Sequence, residues 1–197
     1  VGVLLAGGLS RRMGGGDKCL QKLAGKKLLS YLIDTAYPQV DELILNASGD
    51  ISRFNEFDLT VVSDSVEGRL GPLAGVLTGM EWSADNKPGC DWIVTFPTDA
   101  PFFPGDLVKR LLNAVESEGA DIACASSFGQ AHPVFALWPI ALARDLRKAL
   151  IEENVRKIDK WTAQYKTIQV EWSAEILDPF FNINCPEDLE RAEIFLD

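Results

Sequence analysis

The chain has 197 residues, of which 47% are hydrophobic and 24% charged, the size and make-up of one domain with a buried core. Its formal net charge of −10 excludes non-specific binding to nucleic acid or to an anionic membrane surface, since both need a basic face. A phosphate site stays open to it, because that requires only local amides, a few cations or a metal ion.

Cys19, Cys90, Cys124 and Cys185 are scattered without a C-x-x-C pair, so neither a zinc cluster nor a disulfide framework is expected. Buried reduced thiols in a reducing cytosol are the expected state. No apolar run approaches the ~20 residues that span a bilayer, and the chain is expected to be cytoplasmic.

Val1 to Ala6 is a continuous apolar run ending at Gly7-Gly8, as in a strand buried on both faces. A polar, glycine-rich stretch follows to Lys18. Leu28, Leu29, Leu32, Ile33 and Ala36 then recur at helical spacing and stop before Pro38. Glu42 to Asn46 and Leu59 to Ser63 read as strands, and Pro72 to Trp82 as a helix opened by proline in its first turn. Trp92 to Phe96 is another buried strand, closed by Pro97-Thr98-Asp99-Ala100-Pro101.

After Pro104, the spacing of Leu107, Val108, Leu111, Leu112 and Val115 predicts an amphipathic helix. Asp121 to Ser126, Val134 to Trp138 and, more weakly patterned, Thr167 to Glu171 read as strands, with Ile140 to Ile151 helical. Phe181-Asn-Ile-Asn-Cys-Pro186 reads as a short strand that would turn Asn182 and Asn184 to one side. Pro186-Glu187-Asp188 then opens a last helix carrying Leu189, Ala192, Ile194 and Phe195. Strands alternating with helices imply one α/β domain over residues 1–197, its mostly parallel sheet covered on both faces.

In such sheets, ligands bind beyond the carboxyl ends of the strands. Three stretches hold that position: Ala6 to Lys18, Ser63 to Gly75 and Pro97 to Pro101. In the first, glycines let backbone N–H groups wrap phosphates, and Arg11, Arg12 and Lys18 can neutralise charge on a leaving pyrophosphate. The loop fits neither G-x-x-x-x-G-K-[ST] nor G-x-G-x-x-G. Asp99, at the end of a buried strand, suits Mg²⁺, a hard ion that takes oxygen ligands; an Asp capping the next helix is the competing reading. Asn182 or Asn184 could complete that site, or Asn184 or Cys185 could serve as a helix cap. His132, the only histidine, is open to substrate contact or to an internally satisfied imidazole, and Trp138, Trp161 and Trp172 read as core.

Leu5-Ala-Gly-Gly-Leu-Ser-Arg-Arg-Met-Gly-Gly-Gly-Asp-Lys18 resembles the signature loop of the Rossmann-like nucleotidyltransferases. Asp64 followed by Gly71-Pro-Leu-Ala-Gly75, then Phe96-Pro-Thr-Asp-Ala-Pro101, Gln130-Ala-His-Pro133 and Phe181-Asn-Ile-Asn-Cys-Pro-Glu-Asp-Leu189, narrow the likeness to the molybdenum cofactor guanylyltransferases over nearly the whole chain. The resemblance implies a single three-layer Rossmann-like domain. It implies Mg²⁺-dependent transfer of GMP from GTP to the terminal phosphate of molybdopterin, with pyrophosphate released.

By motif position, Leu5, Ala6, Gly7 and Gly8 would hold base and phosphates, with Arg12 and Lys18 on the triphosphate. Asn46 and Asp64 would contact base or ribose, and Asp99 would bind Mg²⁺, with Asn184 as a second ligand. Asn182 and His132 would face the acceptor, and Arg156 and Lys157 would meet the molybdopterin phosphate. Chaperones or insertion proteins of molybdenum enzymes are further expected partners. Cys185 stands where the family usually has Thr. Three other readings stay open: CTP as donor, a different phosphorylated acceptor (sugar 1-phosphate, phospholactate, cobinamide phosphate), and a non-catalytic nucleotide-binding adaptor.

Overall fold

A computed structural model describes residues 1–7, 17–68, 70–173, 178–193 and 196. Gly8, Arg11, Arg12, Ile194 and Phe195, named above, lie outside the described residues. The elements are β1 (Gly2–Leu5), β2 (Lys22–Leu23), β3 (Lys26–Lys27), α1 (Leu28–Ala36), β4 (Leu43–Asn46), β5 (Thr60–Val62), α2 (Pro72–Asn86), β6 (Trp92–Pro97) and α3 (Leu107–Glu118). β7 (Ile122–Ser127), β8 (Gln130–Pro139), α4 (Ala143–Ile151), α5 (Ile158–Thr162), β9 (Thr167–Trp172) and α6 (Pro186–Glu193) follow.

Seven strands form one sheet in the order β5-β4-β1-β6-β8-β7-β9. Only β8 among them runs antiparallel to its neighbours, pairing β6 on one side and β7 on the other. Side chains alternate across the sheet with period two. Leu4, Leu45, Val94, Phe96, Ala123 and Leu137 enter the core under α1 and α3. Val3, Ile44, Ile93, Ile122 and Trp138 enter the core under α2, α4 and α5. Both faces are therefore covered, giving three layers.

Close packing of α2 on the sheet depends on a missing side chain. A Cβ at Gly79 would lie 2.6 Å from Val3 Cγ2 and 3.1 Å from Ile93 Cδ1. The turn before α2 needs glycine for another reason: Gly71 sits at φ 77°, a left-handed conformation, directly ahead of Pro72.

Several expectations needed correction. Asn182 and Asn184 do not lie on a strand; residues 181–184 have no regular secondary structure. One backbone bond, Ile183 N–H to Asp99 O at 2.7 Å, ties the segment down while Ile183 is buried. A lone bond is too little for a ladder; Asn182 lines the cavity described below, and Asn184 bonds to Lys18. Neither Asn184 nor Cys185 caps α6 with its side chain; instead Asp188 reaches back to accept from both their N–H groups, at 2.8 and 3.1 Å.

The stretch from Ile140 opens as a 3₁₀ turn, Ile140–Leu142, before α4 begins. β8 starts at Gln130, four residues earlier than expected, because Pro133 sits in an irregularity that the pattern could not convey. Cys124 faces Ala136 whereas Ala125 faces His132, so residues 133–135 bulge from the ladder, a position where proline costs no hydrogen bond. Of the four free cysteines, Cys19 and Cys124 are buried, but Cys90 and Cys185 are partly exposed. Trp138, Trp161 and Trp172 are all buried, as expected.

Candidate active site

β4 and β6 flank β1, and the chain passes from one side to the other at that point. The loops after β1 and β6 therefore diverge and leave a crevice at the carboxyl ends of the strands. A cavity of about 910 Å³ occupies it. Leu5, Ala6 and Gly7 line it from β1, Asn46 from β4, and Asp99 from the loop after β6. Gly71, Pro72 and Gly75 contribute from the start of α2, and His132 from β8.

The floor is held by hydrogen bonds between strand ends. Ala6 N–H donates to Asn46 O at 2.9 Å, and the Thr98 hydroxyl donates to Leu5 O at 3.0 Å. These fix where Gly7 and Asp99 emerge. Lys18, on a 3₁₀ turn (Lys18–Leu20), donates to Asp99 Oδ2 at 3.0 Å and to Asn184 Oδ1 at 2.6 Å. Side chains 81 and 166 residues distant in sequence thus converge on one ammonium nitrogen.

A second cluster lines the same cavity. The buried Asn46 amide donates to Val62 O at 3.2 Å and to Asp64 Oδ1 at 2.9 Å. Its side chain lies against Gly75, where a Cβ would fall 2.5 Å from Asn46 Oδ1. Glycine at 75 is thus what allows Asn46 to stand upright beside Asp64.

The third cluster is on the β7–β8 side. His132 Nε2 lies 2.6 Å from the Ser127 hydroxyl, which donates to Asp178 Oδ1 at 2.7 Å. The imidazole stacks on Phe180 at 4.7 Å between ring centroids. Burial holds the His132 pKa below its ordinary value against the opposing pull of Asp178 and Glu171, so the ring is neutral near pH 7.

Sequence reasoning missed three contributors. Arg53 lines the cavity, where it pairs with Asp17, donates to Ser48 O at 2.6 Å and stacks over Phe54. It sits just beyond the carboxyl end of β4, a position equivalent to the three loops singled out, and that was the available signal. Ser127 and Asp178 carried no motif at all. Arg156 and Lys157 do not line the cavity; the Arg156 guanidinium donates instead to Leu150 O and Val155 O, at 2.7 and 2.9 Å.

Cys19 lines the cavity beside Lys18, but burial, reinforced by Asp17, pushes its thiol up to about 12. It should therefore stay protonated and unreactive. Brief iodoacetamide treatment of the folded protein near neutral pH, followed by peptide mass mapping, is expected to leave Cys19 unlabelled; labelling as fast as in the unfolded chain would contradict the assignment.

A doubly covered, mostly parallel sheet, with a lysine, a carboxylate and an asparagine gathered at its central switch point, fits a nucleotidyltransferase. The comparisons with known proteins give the family. The chain belongs to the family described as the MobA-like NTP transferase domain, whose model matches residues 2–168. It is 52% identical over 191 residues to a molybdenum cofactor guanylyltransferase of Rhodopseudomonas palustris (strain BisB5), covering 97% of this chain and 91% of that protein. A guanylyltransferase of the same name from Nitrobacter hamburgensis is 50% identical over 192 residues, with 98% and 92% covered. Among solved structures, the molybdopterin-guanine dinucleotide biosynthesis protein A from Archaeoglobus fulgidus matches with a TM-score of 0.77. At 24% identity, over 99% of this chain and 97% of that one, it supports the fold. Among the described residues, no helix is long and apolar enough to cross a membrane.

Proposed function

We propose that this enzyme transfers GMP from GTP to the terminal phosphate of molybdopterin with the help of Mg²⁺. The observation that carries the reading is the meeting of Lys18, Asp99 and Asn184 at the carboxyl ends of β1 and β6, in a chain half identical to guanylyltransferases. An oxygen of the acceptor phosphate bonds to the α-phosphorus, and the bond from that phosphorus to the bridging oxygen breaks, releasing pyrophosphate. A phosphate monoester is already anionic near pH 7, so no side-chain base is needed. Positioning and charge neutralisation supply the rate.

Asp99 and Asn184 fit a hard divalent cation: both offer oxygens, and both already reach a single positive centre, Lys18 Nζ. Among the described residues there is no group of three or more His, Cys, Asp or Glu able to hold a metal unaided. That suits Mg²⁺, which commonly keeps water and phosphate oxygens in its shell. When bound, the ion supplies charge stabilisation at the phosphates.

Lys18 then moves from its carboxylate to the triphosphate, and Asn46 with Asp64 receives base or ribose. Leu5, Ala6, Gly7 and Gly8 line the phosphates, and Arg12 adds a second cation. Asn182 and His132 face the acceptor.

Lys18→Ala is expected to reduce turnover about a hundredfold or more while leaving the far-ultraviolet circular dichroism unchanged, since Lys18 serves the site rather than the core. Near-full activity would remove it from the mechanism. The deciding assay for the reaction itself is pyrophosphate release with Mg²⁺ and molybdopterin, comparing GTP, CTP, ATP and UTP. Release with GTP alone supports the proposal. A preference for CTP reassigns the donor, and release only with another phosphorylated acceptor reassigns the acceptor.

A further inference from the structure

Ser127, His132 and Asp178 form a chain of hydrogen bonds to which the transfer of GMP, as described, gives no role beyond placing His132 toward the acceptor. Their geometry determines where each proton lies. The Ser127 hydroxyl has one proton and two partners, His132 Nε2 at 2.6 Å and Asp178 Oδ1 at 2.7 Å. Asp178 Oδ1 also accepts from Phe180 N–H at 2.9 Å, so it acts throughout as an acceptor. The hydroxyl proton therefore points to Asp178, and the imidazole must donate from Nε2 to the serine oxygen.

The other ring nitrogen, Nδ1, is then a lone pair. It has no hydrogen-bond partner among the described residues, although His132 lines the cavity. Ser127 is buried and the ring is braced by Phe180, so the arrangement is rigid. The adjacent pair, Ser126 to Glu171 at 2.6 Å, anchors the same strand end.

We infer that Asp178 and Ser127 are positioning residues that lock His132 as the Nε2–H tautomer, so that its Nδ1 accepts a hydrogen bond from a ring N–H or amino group of the acceptor substrate. A lone pair backed by Asp178 and Glu171 repels phosphate oxygens and attracts donors. This wall therefore reads the donor-rich nitrogen heterocycle of the acceptor, while Lys18, which also lines the cavity, serves phosphate. The inference rests on the proposed function for the identity of that heterocycle, the pterin.

Two measurements test it, and they fail independently of the reaction assignment. Because the chain has a single histidine, its ring nitrogens are unambiguous in ¹⁵N NMR. The free protein is expected to show a slowly exchanging, hydrogen-bonded Nε2–H and a pyridine-like Nδ1, and Ser127→Ala to lose the slow exchange. An exchange rate unaltered by Ser127→Ala overturns the relay, whatever the enzyme acts on.

The second is a pair of kinetic variants. The asparagine of His132→Asn places its amide oxygen near the position of Nδ1, whereas the glutamine of His132→Gln reaches the position of Nε2. His132→Gln is expected to raise KM for molybdopterin about tenfold, with KM for GTP unchanged, and His132→Asn to stay closer to wild type. The reverse order would show that the ring serves only to hold Ser127, and wild-type behaviour in both variants would also overturn the inference. Absence of pyrophosphate release by the wild-type enzyme with any acceptor would overturn the proposed function but leave the NMR test standing.

Discussion

Asp99→Ala is expected to lower kcat about a thousandfold, equivalent to roughly 4 kcal/mol of transition-state stabilisation. The reason is local. Asp99 stands immediately after β6, its side chain is 31% exposed, and Lys18 is its only side-chain partner among the described residues. It is thus free to exchange that lysine for a cation on the phosphates. Its backbone carbonyl accepts from Ile183 N–H, a bond that alanine keeps. The ion pair is only partly exposed, but Lys18 keeps Asn184 as a partner when Asp99 is removed, so the melting temperature is expected to stay within a few degrees of wild type. Pyrophosphate release at saturating GTP and molybdopterin, paired with thermal unfolding, measures both quantities. Retention of more than about a tenth of the turnover would remove Asp99 from the metal-binding role.

Gly75→Ala is expected to raise KM for the nucleotide more than tenfold, an effect disproportionate to one added methyl group. The new Cβ would fall 2.5 Å from Asn46 Oδ1 and 2.6 Å from Leu5 Cδ2. Both are ends of side chains, so they can move, and Asn46 is the one that loses by moving. Turning away breaks its bonds to Val62 O and Asp64 and leaves a buried amide unsatisfied.

Gly79→Ala, one turn further along α2, is the control. Its Cβ would meet Val3 and Ile93 in the core instead, so it should cost about 1–3 kcal/mol of stability with KM unchanged. Equal effects of the two substitutions on KM would show that the cavity senses only the position of α2. A wild-type KM in Gly75→Ala would detach Asn46 from nucleotide binding.

The family relation and the three clusters also explain why the site is spread over the chain. Lys18 and Asp99 come from different strand ends and Asn184 from the approach to α6, so the reactive geometry exists only when β1 and β6 are paired. Three further bonds hold the segments at the cavity floor: Ala6 N–H to Asn46 O between β1 and β4, the Thr98 hydroxyl to Leu5 O between β6 and β1, and Ile183 N–H to Asp99 O. Mutations that loosen these strand ends should reduce turnover before they reduce stability.

Some of this was determined by the sequence alone. Apolar runs such as Val1 to Ala6 and Trp92 to Phe96 mark buried parallel strands because both of their faces must be apolar. The spacing of Leu107, Val108, Leu111 and Val115 marks α3 because one helical face must be apolar. Glycines after β1 and a carboxylate after β6 marked the site, because a parallel sheet offers its ligands the carboxyl ends of its strands.

Only the tertiary structure decided the rest. The bulge at residues 133–135, the irregular segment that holds Asn182 and Asn184, the diversion of Arg156 onto backbone carbonyls and the Asp178–Ser127–His132 chain leave no periodic trace. Each depends on contacts that are not encoded locally. Ser127 and Asp178, for example, are 51 residues apart, and nothing in either neighbourhood specifies the other. Local periodicity records which face of an element is buried; which polar groups then meet is settled by the packing of the elements against one another.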